Sequence, residues 1–229
     1  MISESAAVAP IGDVHRLARV TAQAGSPSAA PTGELLPPRA RTTEAVRRLY
    51  ETALRLFGER GFHAVSVRDL TGALGLQASA LYAHVPSKQH LLGELIRIGH
   101  EEHHDQLRLA LLEAGADPAE QIAALTRAHV RLHATYPLLT RVCNRELAWV
   151  PDDHRPAILA IRLDAERLFL DVIERGQRMG SFGATDPMLG VAAIGAMGIR
   201  VAEWWAPDVG IDVDVLADTY ATYAVKLLT

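Results

Sequence analysis

From Thr42 onward, apolar side chains return every third or fourth position, and glycine or proline stands wherever one such run gives way to the next. That spacing paints one apolar stripe along a helix, so the chain must bury stripes against one another rather than pair strands. In the first run Val46, Leu49, Tyr50, Ala53, Leu56 and Phe57 share one face, opposite Arg47, Arg48, Glu51 and Arg55. Gly61 ends it. Ser66 has N-cap chemistry for a second helix, with Asp69 three residues on as its capping partner, and Val67, Leu70, Ala73 and Leu74 form the buried side. Gly75 stops this helix, a short third one is predicted over about 78–84, and Ser87 opens the next. Longer helices follow near 87–113, 118–135, 137–149, 152–179, 187–206 and 212–228, with Pro118, Pro137, Pro151 and Pro187 close to starts, where a missing N–H does no harm. Ala and Leu abound while Phe, Trp and Tyr number only 4, 3 and 5, which favours the same all-α fold.

The same sequence narrows the functional classes. No stretch reaches the roughly 18 consecutive apolar residues of a bilayer span. Cys143 is the single cysteine, so no intrachain disulfide forms, and the N-terminus lacks a secretion signal; a cytoplasmic location is the expectation. Residues 1–38, mixed from Ala, Pro, Ser, Gly and Thr, read as a disordered arm. The net charge of −4 is distributed unevenly: 39–93 carry eight Lys/Arg against four Asp/Glu, whereas 94–229 carry 13 against 20. A basic module at 39–92 joined to an acidic one at 93–229 suits an anionic polymer as partner for the first and not the second. Helix, glycine turn and helix over 67–84 is also the outline of a helix-turn-helix, whose second helix enters the major groove.

The segment Phe62-His63-Ala64-Val65-Ser66-Val67-Arg68-Asp69-Leu70-Thr71-Gly72-Ala73-Leu74-Gly75-Leu76-Gln77-Ala78-Ser79-Ala80-Leu81-Tyr82-Ala83-His84-Val85-Pro86-Ser87-Lys88 resembles the DNA-binding signature of TetR-family repressors, most specifically in Leu81-Tyr82-x-His84-Val85-x-x-Lys88. The resemblance implies a three-helix reading domain and a larger helical domain for ligand and dimer contacts. It further implies a homodimer on palindromic double-stranded operator DNA that lets go when a small molecule binds. It directs Gln77, Ala78, Ser79, Ala80 and Tyr82 toward DNA, with His84 and Lys88 near phosphates. Arg68 is the best base reader, because its planar fork matches guanine O6 and N7. Ala78 and Ala80 are small for that helix, which shifts recognition toward thymine methyls and DNA shape. Arg39 and Arg41 precede the first helix and either reach the backbone or simply keep the linker soluble.

In the acidic part, the run near 187–206 is apolar almost all round, yet it holds Arg200 and Glu203. Arg200 and Trp204 share a face at i,i+4 and offer an anion fork beside an aromatic plate, while an Arg200–Glu203 pair is the structural alternative. Arg127-Ala-His129-Val-x-x-His133-Ala-x-x-Pro137, Asn144-Arg145-Glu146-Leu147, Arg162-x-x-x-Glu166-x-x-Phe169, Gly176-x-x-x-Gly180-x-Phe182-x-x-x-Asp186 and Arg200-x-x-x-Trp204-Trp205 resemble the ligand domain of TetR repressors of sterol and fatty-acid catabolism. Those regulators respond to acyl-CoA thioesters. The resemblance implies that Arg200 and Trp204 hold the CoA part; Leu139, Val142, Phe169 and Val172 are candidate walls for the acyl part, with ordinary core packing as the alternative for these four. Arg162 and Glu166 read as a structural ion pair.

Histidines 100, 103 and 104 sit among acidic neighbours in what reads as an exposed turn, and His129 with His133 either line the pocket or link helices. Neither set has a complete ligand shell, so no metal or other cofactor is expected. No nucleophile elbow, triad or phosphate loop is present, which argues against an enzyme. Dimerisation is expected through the last two helices, along Val191, Ile194, Met197, Val201, Leu216, Tyr220 and Tyr223. Two rivals remain: a repressor of an efflux system induced by apolar xenobiotics, and a helical interaction protein that never reads DNA.

Overall fold

The computed structural model describes residues 35–40 and 42–229. Among these residues there are nine α-helices, two short 3-10 turns and no strand. The first three helices are α1 (Glu44–Arg60), α2 (Val67–Leu74) and α3 (Ala78–Tyr82). Six follow: α4 (Lys88–Glu113), α5 (Pro118–Thr135), α6 (Pro137–Arg145), α7 (Arg155–Arg178), α8 (Pro187–Trp204) and α9 (Val213–Leu228).

The punctuation works as the residue types dictate. Ser66 Oγ accepts the Asp69 N–H at 3.1 Å while the Asp69 carboxylate accepts the Ser66 N–H at 2.7 Å, a closed capping box at the start of α2. Gly61 and Gly75 adopt φ of +82° and +67°, conformations that a side chain would strain. Ser87 caps α4 through the His90 N–H, and Pro118, Pro137 and Pro187 each sit in a first turn.

Three apolar clusters hold the bundle. One joins α1–α3 to α4, α6 and the start of α7, through Leu54, Phe57, Leu70, Leu81, Leu95, Val142 and Ile158. A second lies between α4, α5, α7, α8 and the end of α9. The third seats α9 on α5 beside Trp204 and Trp205. Because the first cluster is continuous, the reading head has no core of its own. The boundary drawn between 92 and 93 falls inside α4, a single 26-residue helix that runs from the head to the far end of the bundle.

Several expectations shift. Leu35 and Leu36, assigned to the disordered arm, are buried against the first cluster. The helix read over 137–149 stops at Arg145 and passes through a 3-10 turn at Leu147–Trp149. The next helix begins at Arg155 and has Pro156, not Pro151, in its first turn. Of the proposed dimer seam, Val191, Ile194, Val201 and Leu216 are buried within the chain while Tyr223 is exposed, as are Leu189 (68% exposed), Val215 and Leu227 on the same two helices. An apolar helix has two apolar faces, and periodicity alone does not say which one its own chain covers. No helix among the described residues is long and apolar enough to cross a membrane.

Candidate DNA-reading face and effector cavity

Helices α2 and α3 meet across the Gly75 turn and leave one polar face open. Arg68, Gln77, Ser79 and His84 are exposed there, as is Tyr82 at 55%. Leu81 and Val85 alternate with them and anchor the face to the core. Ala78 and Ala80 lie in α3, and Arg41 is outside the described residues. Two cations are engaged inward. The Lys88 ammonium donates to the Phe62 and Val65 carbonyls at 2.9 and 2.7 Å and lies 4.1 Å from the centroid of the Phe62 ring. It therefore ties the α1–α2 loop to α4 with two of its three donors. Arg39 pairs with Glu102 and Asp105 of α4 rather than reaching away from the protein.

Behind the head, α4, α5, α6, α7 and α8 line a half-open cavity of about 390 Å³. Each helix contributes one face: Gly99, His100 and His103 from α4; His129, Leu132 and His133 from α5; Thr140, Cys143 and Asn144 from α6. Helix α7 adds Arg162, Ala165, Glu166 and Phe169, and α8 adds Met188, Val191, Ala192, Gly195, Ala196 and Ile199. Glycine sets the closeness of the walls. A Cβ on Gly198 would stand 2.0 Å from His129 Cδ2, and one on Gly99 would stand 2.3 Å from Cys143 Sγ.

The histidines form a directed chain. His129 Nε2 lies 3.1 Å from the Gly195 carbonyl, which accepts its proton, so His129 Nδ1 is left as acceptor for His103 Nε2–H at 2.8 Å. His133 Nδ1 donates to the His129 carbonyl at 2.8 Å, which leaves its Nε2 as acceptor facing Asn144 Nδ2 at 3.5 Å. Burial disfavours the charged rings: His100 and His129 are drawn down to about 4 and His133 to about 3, and His103 falls well below its usual range. His100 Nε2 is buried with no hydrogen-bond partner among the described residues. At neutral pH the histidines of the wall are thus uncharged, and its charges are those of the ion pair in which Arg162 Nε donates to Glu166 Oε1 at 3.1 Å. Burial also pushes the Cys143 thiol up to about 12, so it carries no thiolate reactivity.

Of the residues assigned to ligand, His133 and Phe169 line this cavity. Leu139 and Val142 belong to the first core cluster and Val172 to the second. Arg200 is exposed one turn beyond the cavity residue Ala196 but is not itself among the lining residues, and Trp204 packs with Val201 and Leu216 in the third cluster. Glu203 meets Arg145 at 2.5 Å rather than Arg200. The sequence reading missed His100 and His103 as wall residues. Their signal was present, since Ile96, His100, His103 and Leu107 follow the i, i+4, i+7, i+11 stripe that α4 buries. Arg162 and Glu166 do pair as expected, but in the cavity wall.

Comparison with known proteins matches both halves of the chain. Residues 49–95 match the bacterial regulatory proteins of the tetR family, and residues 115–228 match the tetracyclin repressor-like C-terminal domain. The HTH-type transcriptional repressor KstR2 of Rhodococcus jostii (strain RHA1) is 26% identical over 174 residues, covering 75% of this chain and 85% of that one. Among solved structures, a tetR-family regulatory protein from Rhodococcus RHA1 superposes with a TM-score of 0.75 at 26% identity, over 82% of this chain and 98% of the other. The ketosteroid transcriptional regulator KstR2 of Mycobacterium tuberculosis gives 0.76 at 20% identity, over 86% and 99%. AibR, solved with isovaleryl coenzyme A and operator DNA, gives 0.69 at 23% identity, over 81% and 98%.

Proposed function

Because the chain belongs to the TetR family of bacterial regulators, we propose that it is a dimeric repressor of palindromic operator DNA. It is released when an acyl-CoA thioester of lipid or sterol breakdown enters the cavity between α4, α5, α6, α7 and α8. The observation that carries this reading is the continuity of α4: its first turn clamps the reading head through Lys88, and its middle supplies Gly99, His100 and His103 to the cavity wall. An occupant that spreads the wall must shift α4, and with it the spacing of the two heads in a dimer. It then lowers DNA affinity by the ratio of its affinities for the two states.

The cavity volume lies at the lower end of the range for small-molecule pockets and has room for an acyl chain or ring fragment, with the CoA moiety outside. Arg162 at the wall is the cation placed to meet a thioester's polar end, and Arg200 is exposed one turn beyond Ala196. Two relatives support this ligand class, one named for ketosteroids and one solved with isovaleryl coenzyme A. The uncharged histidine wall favours a second reading, in which the inducer is an apolar compound without CoA.

Thermal stabilisation of the protein by CoA thioesters, matching free acids, free CoA and apolar drugs separates the two readings. Stabilisation by thioesters alone, weakened in Arg162→Ala, supports the first. A response to apolar drugs alone supports the second, and no response from either class removes the cavity as the effector site.

A further inference from the structure

Away from the cavity, His90 in the first turn of α4 meets Asp153 and His154 in the loop that leads into α7. Each of the three offers a ligand atom within 4.8 Å of the others, the one group of its kind among the described residues. His90 Nε2 stands 3.1 Å from Asp153 Oδ2, close to the roughly 3.3 Å that separates two ligands on a tetrahedral zinc ion. The His90 and His154 ring centroids are 4.9 Å apart.

The surroundings orient both rings. Ser87 Oγ holds His90 Nδ1 at 3.1 Å, which leaves Nε2 turned toward Asp153. His154 Nδ1 faces Glu94 Oε1 at 3.6 Å, the outer carboxylate position common behind a metal-bound histidine. The backbone supplies the cradle: a Cβ on Gly93 would lie 3.0 Å from the His154 ring, so glycine at this position lets the loop settle on α4. Asp153 is exposed, which leaves a side open to water as a fourth ligand.

We propose that His90, Asp153 and His154 bind one borderline divalent cation, with Zn²⁺ as the best match to two imidazoles and a carboxylate. The ion ties the base of the reading head to the segment that starts α7, a second input to the same lever, independent of the effector cavity. The cavity histidines do not compete, because His129 Nδ1 and His103 Nε2 are turned on each other at 2.8 Å and do not converge on a common centre.

The test uses the full-length, tag-free protein stripped with chelator. Titration with Zn²⁺ by calorimetry, with bound metal counted after desalting, is expected to give one ion per chain. Asp153→Asn alters an exposed side chain and should weaken binding at least tenfold, and His90→Ala with Asp153→Asn at least a hundredfold, while His129→Ala leaves it unchanged. Gly93→Ala removes no ligand and should still weaken binding severalfold. Co²⁺ substituted at the site should give the intense visible bands of a four-coordinate centre. Binding that survives the double variant, or that disappears in His129→Ala, overturns the assignment, as does the absence of any stoichiometric ion.

Discussion

Single side chains on the open face of α2 and α3 separate two kinds of DNA contact. Tyr82→Phe removes one exposed hydroxyl and should weaken operator binding severalfold on every sequence tested, whereas Arg68→Ala should also relax preference at particular base pairs. Uniform loss across operator variants in Arg68→Ala would deny that residue a base-reading role. Lys88 behaves differently, because its removal leaves two carbonyls without a donor. Lys88→Ala should lower folding stability by about 1–3 kcal/mol in urea titrations, with DNA affinity falling as a consequence. The cavity histidines set the pH response. Ordinary histidine titrates near pH 6.5, but His100 stays neutral in the fold down to about 4, so the unfolded chain takes up protons first as pH falls. Stability from this group is complete above about 6.5 and is lost between there and pH 4, on the order of 3 kcal/mol for His100 alone. Urea midpoints at pH 7.5, 6 and 5 should decline in that order, and a flat profile would show that the rings are solvated.

At the scale of the element, close helix approach was legible as glycine, but its partner was not. Gly190 and Gly198 mark α8 as a helix that others approach closely, while a side chain on Gly195 would meet open space; only the packed structure shows that Gly198 makes room for the His129 ring. Gly198→Ala should displace that ring and its bond to Gly195, costing about 1–3 kcal/mol and shrinking the cavity. Differential scanning calorimetry checks the first effect, and loss of effector stabilisation checks the second. The capping box of Ser66 and Asp69 was readable because a cap needs only residues three apart. The head's dependence on α6 was not, because Val142 and Leu139 reach it from more than 70 residues beyond Phe62.

For the whole molecule, the exposed apolar residues of α8 and α9 mark the surface that a second copy would cover. Leu189→Glu should shift sedimentation toward monomer and reduce operator affinity by more than tenfold, since one head alone grips half a palindrome. Wild-type operator binding should fall steeply with salt, as expected for several phosphate contacts per dimer, and a shallow slope would favour a protein that does not read DNA. The sequence by itself determined the helices, their caps and the open face of the head, because these depend on periods and spacings within a few turns of chain. Only the tertiary structure decided which residues share the cavity, which way Arg200 and Lys88 turn, and that His90 meets His154. Those outcomes depend on how five helices rotate about their own axes as they pack, and a rotation of one residue's step, about 100°, carries a side chain from wall to solvent.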